Sequence, residues 1–373
     1  MNGGNDPFTA MGLAPMVNAS GTWTLYGGAT ASSEAAEATR DAMGHSVIMA
    51  ELVPLASRAI AAATGAQAGC ITACSAAGIT LAVAACLSGA DPAAVRRLPQ
   101  VAHGRDRVVM LKGHVVDFGA DVRQMVRLAG AQVVEAGTAG FCHDFELEGA
   151  LDANTAAILF VVSHLTSQRG MPGLRQVAAL AKARGLPLIV DAAAETDLRR
   201  FHEEGADLVI QSVHKFLRGP TAGIVSGRTE LVEAVIAQSE GIGRTMKVGK
   251  EAVAGSLAAL AAWQRRDPAA EVALWQQRLD TIAEHLGNLP GLNLGPEDDT
   301  TDHAILCLRI AIDAAAAGID AAALARSLRE EHRVFTRDHL AELGILLVDP
   351  RSMQEGDDLR LARAISTILK AAR

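Results

Sequence analysis

Aromatic side chains are scarce in this chain: one tyrosine, three tryptophans and eight phenylalanines make up 3% of its 373 residues. The core must then be built from Ala, Leu, Val and Ile, within a hydrophobic share of 50%. Small aliphatic interiors suit helices packed closely on a sheet. An excess of positive charge is also missing. The formal charge of -8 and a pI near 5.8 argue against nucleic acid as a partner, while leaving room for a local basic pocket. The eleven histidines contain no H-E-x-x-H pair and no dense Cys/His cluster, so no metal site is expected. No G-x-S-x-G elbow occurs, and no G-x-G-x-x-G follows the first strand, which sets aside serine hydrolases and dinucleotide enzymes. The five cysteines (Cys70, Cys74, Cys86, Cys142, Cys307) show no C-x-x-C spacing and read as small core residues. No apolar stretch is long and unbroken enough to span a bilayer, and the first residues carry no basic run. The expectation is a cytoplasmic protein with no membrane partner.

What is present is a rhythm. A chain of 38.8 kDa has room for a large core, here expected in two lobes. Short apolar runs at Gly69–Thr72, Arg107–Leu111, Gln132–Glu135, Ala156–Val162, Leu186–Val190, Leu208–Ile210 and Ala222–Val225 read as strands. Helical patterns at Ser57–Thr64, Ser75–Leu87, Ala120–Leu128, Leu174–Arg184 and Thr229–Gln238 alternate with them. Such alternation predicts an α/β fold with a mostly parallel sheet covered by helices on both faces. Beyond about residue 245 two long helices lead into shorter strands and helices, which predicts a smaller α+β domain. The expected division is an N-terminal arm over 1–50, a large domain over 51–245 and a small domain over 246–373. Val17–Gly28, rich in Gly, Thr and Asn, reads as an ordered loop.

Three features fall at strand ends, where ligands of such sheets bind. Ser75-Ala-Ala-Gly78 opens a helix directly after a strand, so the backbone N–H groups of Ser75, Ala76 and Ala77 make a phosphate cradle. Asp191 ends a very apolar strand, where a carboxylate is costly unless a cation meets it. Lys215 follows the next strand, and burial there favours the neutral amine that attacks an aldehyde to form a Schiff base. Carboxylate, lysine and phosphate-binding helix on one sheet edge are what pyridoxal 5'-phosphate requires.

At these residues the chain also resembles a known family. Val190-Asp-Ala-Ala-Ala-Glu-Thr-Asp-Leu198 and Ser212-Val-His-Lys-Phe-Leu-Arg-Gly-Pro220 are similar to fold-type I pyridoxal phosphate enzymes. Within them the likeness is to the group of selenocysteine synthase and D-glucosaminate-6-phosphate ammonia-lyase. Asn18-Ala-Ser-Gly-Thr22, Thr64-Gly-Ala-Gln-Ala-Gly69, Lys112-Gly-His-Val-Val-Asp-Phe-Gly119 and Met246-Lys-Val-Gly-Lys-Glu251 carry the same likeness over roughly residues 15–260. The resemblance implies an aspartate aminotransferase-like sheet of seven strands, with Lys215 joined to the cofactor and Asp191 on its ring nitrogen. It places His114 against the cofactor ring, Ser212 at the phosphate, and one of Ser163, His164 and Thr166 at the phenolic oxygen. His214 either lines the pocket or supports Lys215. Thr22 and Tyr26 are expected to serve a neighbouring copy's site in a homodimer or higher homo-oligomer.

Arg218, Arg244, Lys247 and Lys250 form a basic set beside this segment and read as contacts for an anionic amino acid substrate. The reaction expected is α,β-elimination of water from a polar hydroxy or sugar amino acid, giving a 2-oxo acid and ammonia. Racemisation, aldol cleavage and group transfer draw on the same chemistry, and a relative that binds without turnover is the reading from another class. Transfer to a charged transfer RNA is not expected, because the chain starts almost directly at the active-site segment.

Overall fold

The structure is a computed structural model that describes residues 7–101, 104–298 and 306–372. It divides into two compact units: the chain up to Ala29 together with Asp267 onward, and Thr30–Arg266. The expected divisions lay at 50/51 and 245/246. The helix Lys250–Arg265 goes with the larger unit because it packs along the helices Ser33–Met43 and Met49–Thr64.

The first strand, β1 (Val17–Ala19), lies in the smaller unit, where a loop was expected. The larger unit holds β2 (Ala68–Thr72), β3 (Arg107–Leu111), β4 (Gln132–Ala136), β5 (Thr155–Val161), β6 (Leu188–Asp191), β7 (Leu208–Ser212) and β8 (Gly223–Gly227). They form one seven-stranded sheet in the order β2-β8-β7-β6-β5-β3-β4. All pairings are parallel except those of β8, which runs antiparallel to both β2 and β7. The expected mostly parallel α/β sheet is therefore the observed one.

Both faces of this sheet are covered, which is why its strands read as continuous apolar runs rather than alternating ones. Val108, Met110, Leu159, Ile189 and Ile210 point to one core with the helix Ser75–Ser88. Val109, Leu111, Ile158, Leu188 and Val190 point to the other, beneath the helix Leu174–Arg184. The helix Ser75–Ser88 is buried continuously from Ala77 to Ala85, so it is apolar on all sides. Burial pushes the thiols of Cys70 and Cys86 up to about 12, which fits their reading as inert core residues. Among the described residues no helix is long and apolar enough to cross a membrane, and no acidic, His or Cys group could hold a metal ion.

The smaller unit continues with β9 (Leu292–Asp298), β10 (Leu306–Ile312), β11 (Val334–Thr336) and β12 (Ile345–Val348). β12-β10-β9 is antiparallel, while β1 pairs in parallel with β11. The helices Pro268–Leu286, Ala321–His332 and Asp357–Ala371 supply its core through Ile282, Leu324, Leu328 and Ile365. The sequence pattern beyond the two long helices also predicts a strand over 304–310, and its first two residues lie outside the described residues.

One buried ion cluster stands out in this unit. Asp349 has no exposed surface, takes Arg351 Nε at 2.9 Å and Nη2 at 2.6 Å, and meets Arg337 Nη2 at 2.5 Å. Burial alone would push its carboxyl up, but the two guanidiniums hold it far below the usual carboxylate range. Its contribution is present above the unfolded carboxylate value of about 3.9 and is lost as pH falls through the folded value. Replacing Asp349 with Asn should destabilise the protein by about 3–5 kcal/mol at pH 7. Urea unfolding checks this, and a loss under about 1 kcal/mol would mean that the cluster contributes nothing net.

Candidate active site

Strand register gathers the sequence-predicted residues on one edge. Asp191 lies opposite Val161 of β5 and Ile210 of β7. Ser212 lies opposite Gly223, which in turn lies opposite Thr72. Since β8 reverses twice, the carboxyl ends of β2, β3, β5, β6 and β7 all face the same way. Ser75, His114, Ser163, Asp191, Ser212 and Lys215 each sit at or just beyond one of those ends.

Lys215 sits in the tight connection from β7 to β8. Val213 N–H donates to Ala222 O at 3.0 Å, Gly219 N–H to Val213 O at 3.0 Å, and Arg218 N–H to Lys215 O at 3.2 Å. Arg218 has φ 53°, a left-handed conformation that costs a non-glycine residue about 1–2 kcal/mol. It is held there because its carbonyl accepts Ser32 N–H at 2.8 Å and its Nε donates to Thr30 O at 3.1 Å. Arg218 thus ties the lysine loop to the start of the helix Ser33–Met43.

Asp191 is 5% exposed, and its side-chain Oδ1 accepts Ala193 N–H at 3.2 Å. Burial pushes its carboxyl up to about 6, against the pull of the Lys215 ammonium. Glu195 adds to the upward push. This second carboxylate is also 5% exposed, and the turn Ala192–Glu195 folds it back, with Glu195 N–H on Ala192 O at 3.0 Å. The sequence reading passed over Glu195, although a second acid within the same Ala-rich run was visible.

The helix at Ser75 opens as expected, but its cap is Cys74. The Cys74 sulfur accepts Ala77 N–H at 3.4 Å, and Ser75 is the first helical residue. Thr72 Oγ1 donates to Cys74 O at 2.9 Å. A Cβ on Gly223 would lie 2.6 Å from that carbonyl and from Thr72 Oγ1, so only glycine lets β8 pass so close. The N–H groups of Ser75 and Ala76 belong to the first turn, which has no intrahelical acceptors for them.

His114 ends the short turn that follows β3. Its Nδ1 accepts Val161 N–H at 3.3 Å, two residues along β5 beyond the last β3–β5 rung at Met110 and Leu159. Its ring meets Phe160 edge-on with centroids 4.4 Å apart, and burial lowers it to about 4. His114 has no exposed surface, so it offers no open face in this conformation, and stacking on a cofactor requires its cover to withdraw. The resemblance implies that His114 lies against the cofactor ring.

After β5, Thr166 Oγ1 donates to Ser163 O at 2.6 Å, and Leu165 N–H donates to Ser163 Oγ at 3.2 Å. Ser163 and Thr166 therefore spend hydroxyl contacts on closing this turn, while His164 is half-buried between them. Ser212 is 3% exposed and its Oγ lies 3.1 Å from His214 Nδ1. Arg244 and Lys247 are exposed on and after the turn Ile242–Met246, whereas Lys250 Nζ donates to Met43 O at 3.3 Å. Thr22 and Tyr26 lie in the smaller unit, where Tyr26 rests on Phe335 with ring centroids 4.8 Å apart.

The donor set suits the cofactor that the sequence suggested. A carboxylate disfavoured as an anion by burial calls for a proton or a cation, a lysine adjoins it, and a helix start with two spare N–H groups opens on the same edge.

Comparison with known proteins points the same way. The family model for L-seryl-tRNA selenium transferase matches residues 16–284. A D-glucosaminate-6-phosphate ammonia lyase from Salmonella typhimurium is 36% identical over 351 residues, covering 94% of both chains. A 5'-C-glycyluridine monooxygenase-decarboxylase from a Streptomyces species is also 36% identical, over 363 residues, covering 96% of this chain and 91% of that one. An L-seryl-tRNA(Sec) selenium transferase from Serratia proteamaculans is 29% identical, and the match spans 57% of its length. A solved structure of D-glucosaminate-6-phosphate ammonia-lyase superposes with a TM-score of 0.90 and 34% identity, covering 99% of each chain. Thermus thermophilus aspartate aminotransferase, at 17% identity and a TM-score of 0.55 over 98% and 93% of the two chains, shares the fold.

The raised Asp191 carboxyl has a stability consequence. In the unfolded chain it loses its proton near 3.9, before the folded one does, so stability falls as pH rises from about 4 through about 6. Asp191→Asn removes that penalty, and the cofactor-free variant should exceed wild type by up to about 3 kcal/mol at pH 8 and match it at pH 4. Urea midpoints of both proteins across this range test it. A gap that does not change with pH would rule out burial of the charge as its source.

Proposed function

Because the chain belongs to the L-seryl-tRNA selenium transferase family, we propose that it is a pyridoxal phosphate-dependent ammonia-lyase acting on a polar, anionic hydroxy or sugar amino acid. The observation that carries this reading is the buried Asp191 carboxylate beside Lys215 at the carboxyl edge of the sheet. The ammonia lyase likeness over nearly the whole chain supports the reaction class.

In this reading the N–H groups of Ser75 and Ala76 hold the cofactor phosphate from the helix start, with Ser212 as a further donor, whereas the Ala77 N–H expected beside them is taken by the Cys74 cap. Asp191 would hold the proton of the ring nitrogen, and Lys215 Nζ would hold the cofactor's aldehyde carbon while no substrate is bound. When bound, pyridoxal phosphate withdraws electrons from the α-carbon of the amino acid attached to it. Lys215 Nζ takes the α-proton as general base, positioned by the closed loop Val213–Ala222. The net reaction would convert the hydroxy amino acid to a 2-oxo acid and ammonia, with water lost across the α- and β-carbons and taken up again on hydrolysis. Arg244 and Lys247 are the cations offered to the substrate's anionic group, Arg244 by bidentate contact. Association into a homodimer or larger homo-oligomer, with Thr22 and Tyr26 serving a neighbouring copy, belongs to the same reading.

A second reading has a specific observation in its favour, the equal identity to a monooxygenase-decarboxylase. It would use the same lysine and carboxylate but consume oxygen and release carbon dioxide.

Purified protein should show a visible band that borohydride fixes on the Lys215 peptide, as read by mass mapping. Candidate hydroxy and sugar amino acids should then release 2-oxo acid and ammonia in equal amounts. Lys215→Ala should lower kcat by about 10²–10⁴-fold. No chromophore after addition of pyridoxal phosphate would sink the cofactor reading. Oxygen uptake with carbon dioxide in place of ammonia would transfer the assignment to the second reading.

A further inference from the structure

Ser212 and His214 are both buried, at 3% and 7% exposure, and their Oγ to Nδ1 distance of 3.1 Å makes them hydrogen-bond partners. One of the two must be the donor. If the hydroxyl donates, Ser212 has only lone pairs left and turns them toward any phosphate oxygen, which is repulsive. If the ring N–H donates, the hydroxyl proton is available to an anion, and the imidazole lone pair sits on Nε2. Ser212 lies on the rung that runs through Gly223 to Thr72, whose hydroxyl holds the Cys74 cap of the phosphate-binding helix. We propose that a phosphate monoester at the start of the helix Ser75–Ser88 locks His214 in its Nδ1–H form, making Nε2 a proton acceptor beside Lys215.

The change moves one proton from Nε2 to Nδ1 and turns the Ser212 hydroxyl toward the phosphate, with no bond to carbon made or broken. Burial, and then the nearby Lys215 ammonium, lower the basicity of His214, so the ring stays neutral at ordinary pH and its tautomer is the variable. His214 acts through Ser212 and is a positioning residue. The arrangement makes the proton-accepting state of the site depend on an occupied phosphate cradle, and it rests on the phosphate site proposed above.

The test is nitrogen-15 NMR of histidine-labelled protein, with His214 assigned by its absence in His214→Asn. Inorganic phosphate and pyridoxal phosphate are titrated in separate experiments. Saturation with either should give His214 a pyrrole-like Nδ1 and a pyridine-like Nε2, and Ser212→Ala should abolish the change. His214→Asn keeps an N–H donor near the Nδ1 position and should hold pyridoxal phosphate within about threefold of wild type, while His214→Leu loses about tenfold. A visible cofactor band with His214 still protonated on Nε2 overturns this inference alone, as does equal loss in the Asn and Leu variants. Wild type that shows no band and takes up no pyridoxal phosphate overturns the phosphate-site reading and this inference with it.

Discussion

The site depends on one electrostatic constraint, a carboxylate buried at the end of an apolar strand. Asp191 is almost without solvent, so its charge must be met by a cation or removed by a proton. The parallel pairing of β6 with β7 places the Lys215 loop directly beyond the neighbouring strand end. The reversal of β8 then closes that loop within ten residues, Val213–Ala222, where a parallel return would need a long crossover. An antiparallel strand inside an otherwise parallel sheet is thus what keeps the lysine at the edge. Burial pushes the Asp191 carboxyl up to about 6 against the pull of the Lys215 ammonium, so the protein alone does not fully offset the burial of this charge.

A second constraint is spatial. The helix Ser75–Ser88 has to bring its N-terminus down to the same edge, and its glycines allow this. Gly78 lets the helix approach Ile210 and Val225, where a Cβ would sit 3.1 Å from each. Gly223 lets β8 pass beneath the Cys74 carbonyl. A thiol caps the helix more weakly than the usual hydroxyl or carboxylate, and Thr72 compensates by anchoring the cap residue's own carbonyl. Helix start, strand β8 and the Ser212 rung are consequently one packed assembly.

The large sheet was legible because strands buried on both faces announce themselves as short apolar runs, and all seven were read to within two residues. What escaped depended on partners far away in sequence. β1 is a three-residue strand that exists by pairing with β11 near the other end of the chain. β9 contains Gly295 and Pro296, which read as breakers, yet it lies at the edge of its sheet, where a missing N–H is tolerated. The helix Met49–Thr64 was read only from Ser57 because Pro54 lies inside it. In the site, Asp191, Lys215 and the helix start followed from residue type at strand ends. Cys74 as cap, Gly223 as spacer and the complete enclosure of His114 did not, since each is set by what packs against it.

Sequence proximity also overcounts cations. Arg218, Arg244, Lys247 and Lys250 look like one basic cluster, but two of them are bound to backbone carbonyls. Arg218 holds Thr30, just ahead of the helix Ser33–Met43, and Lys250, the first residue of the helix Lys250–Arg265, holds Met43 at the far end of that helix. Arg244, in the turn Ile242–Met246, and Lys247, just after it, are both exposed and differ in how each can hold an anion. The guanidinium fixes a carboxylate or phosphate in a plane, whereas the ammonium attracts it without orientation. Which bond at a substrate's α-carbon breaks depends on how its groups are oriented, so a planar anchor bears more on reaction choice than a point charge. Two relatives at the same identity, one an ammonia lyase and one a monooxygenase-decarboxylase, carry this question to the residues around the substrate's anionic group.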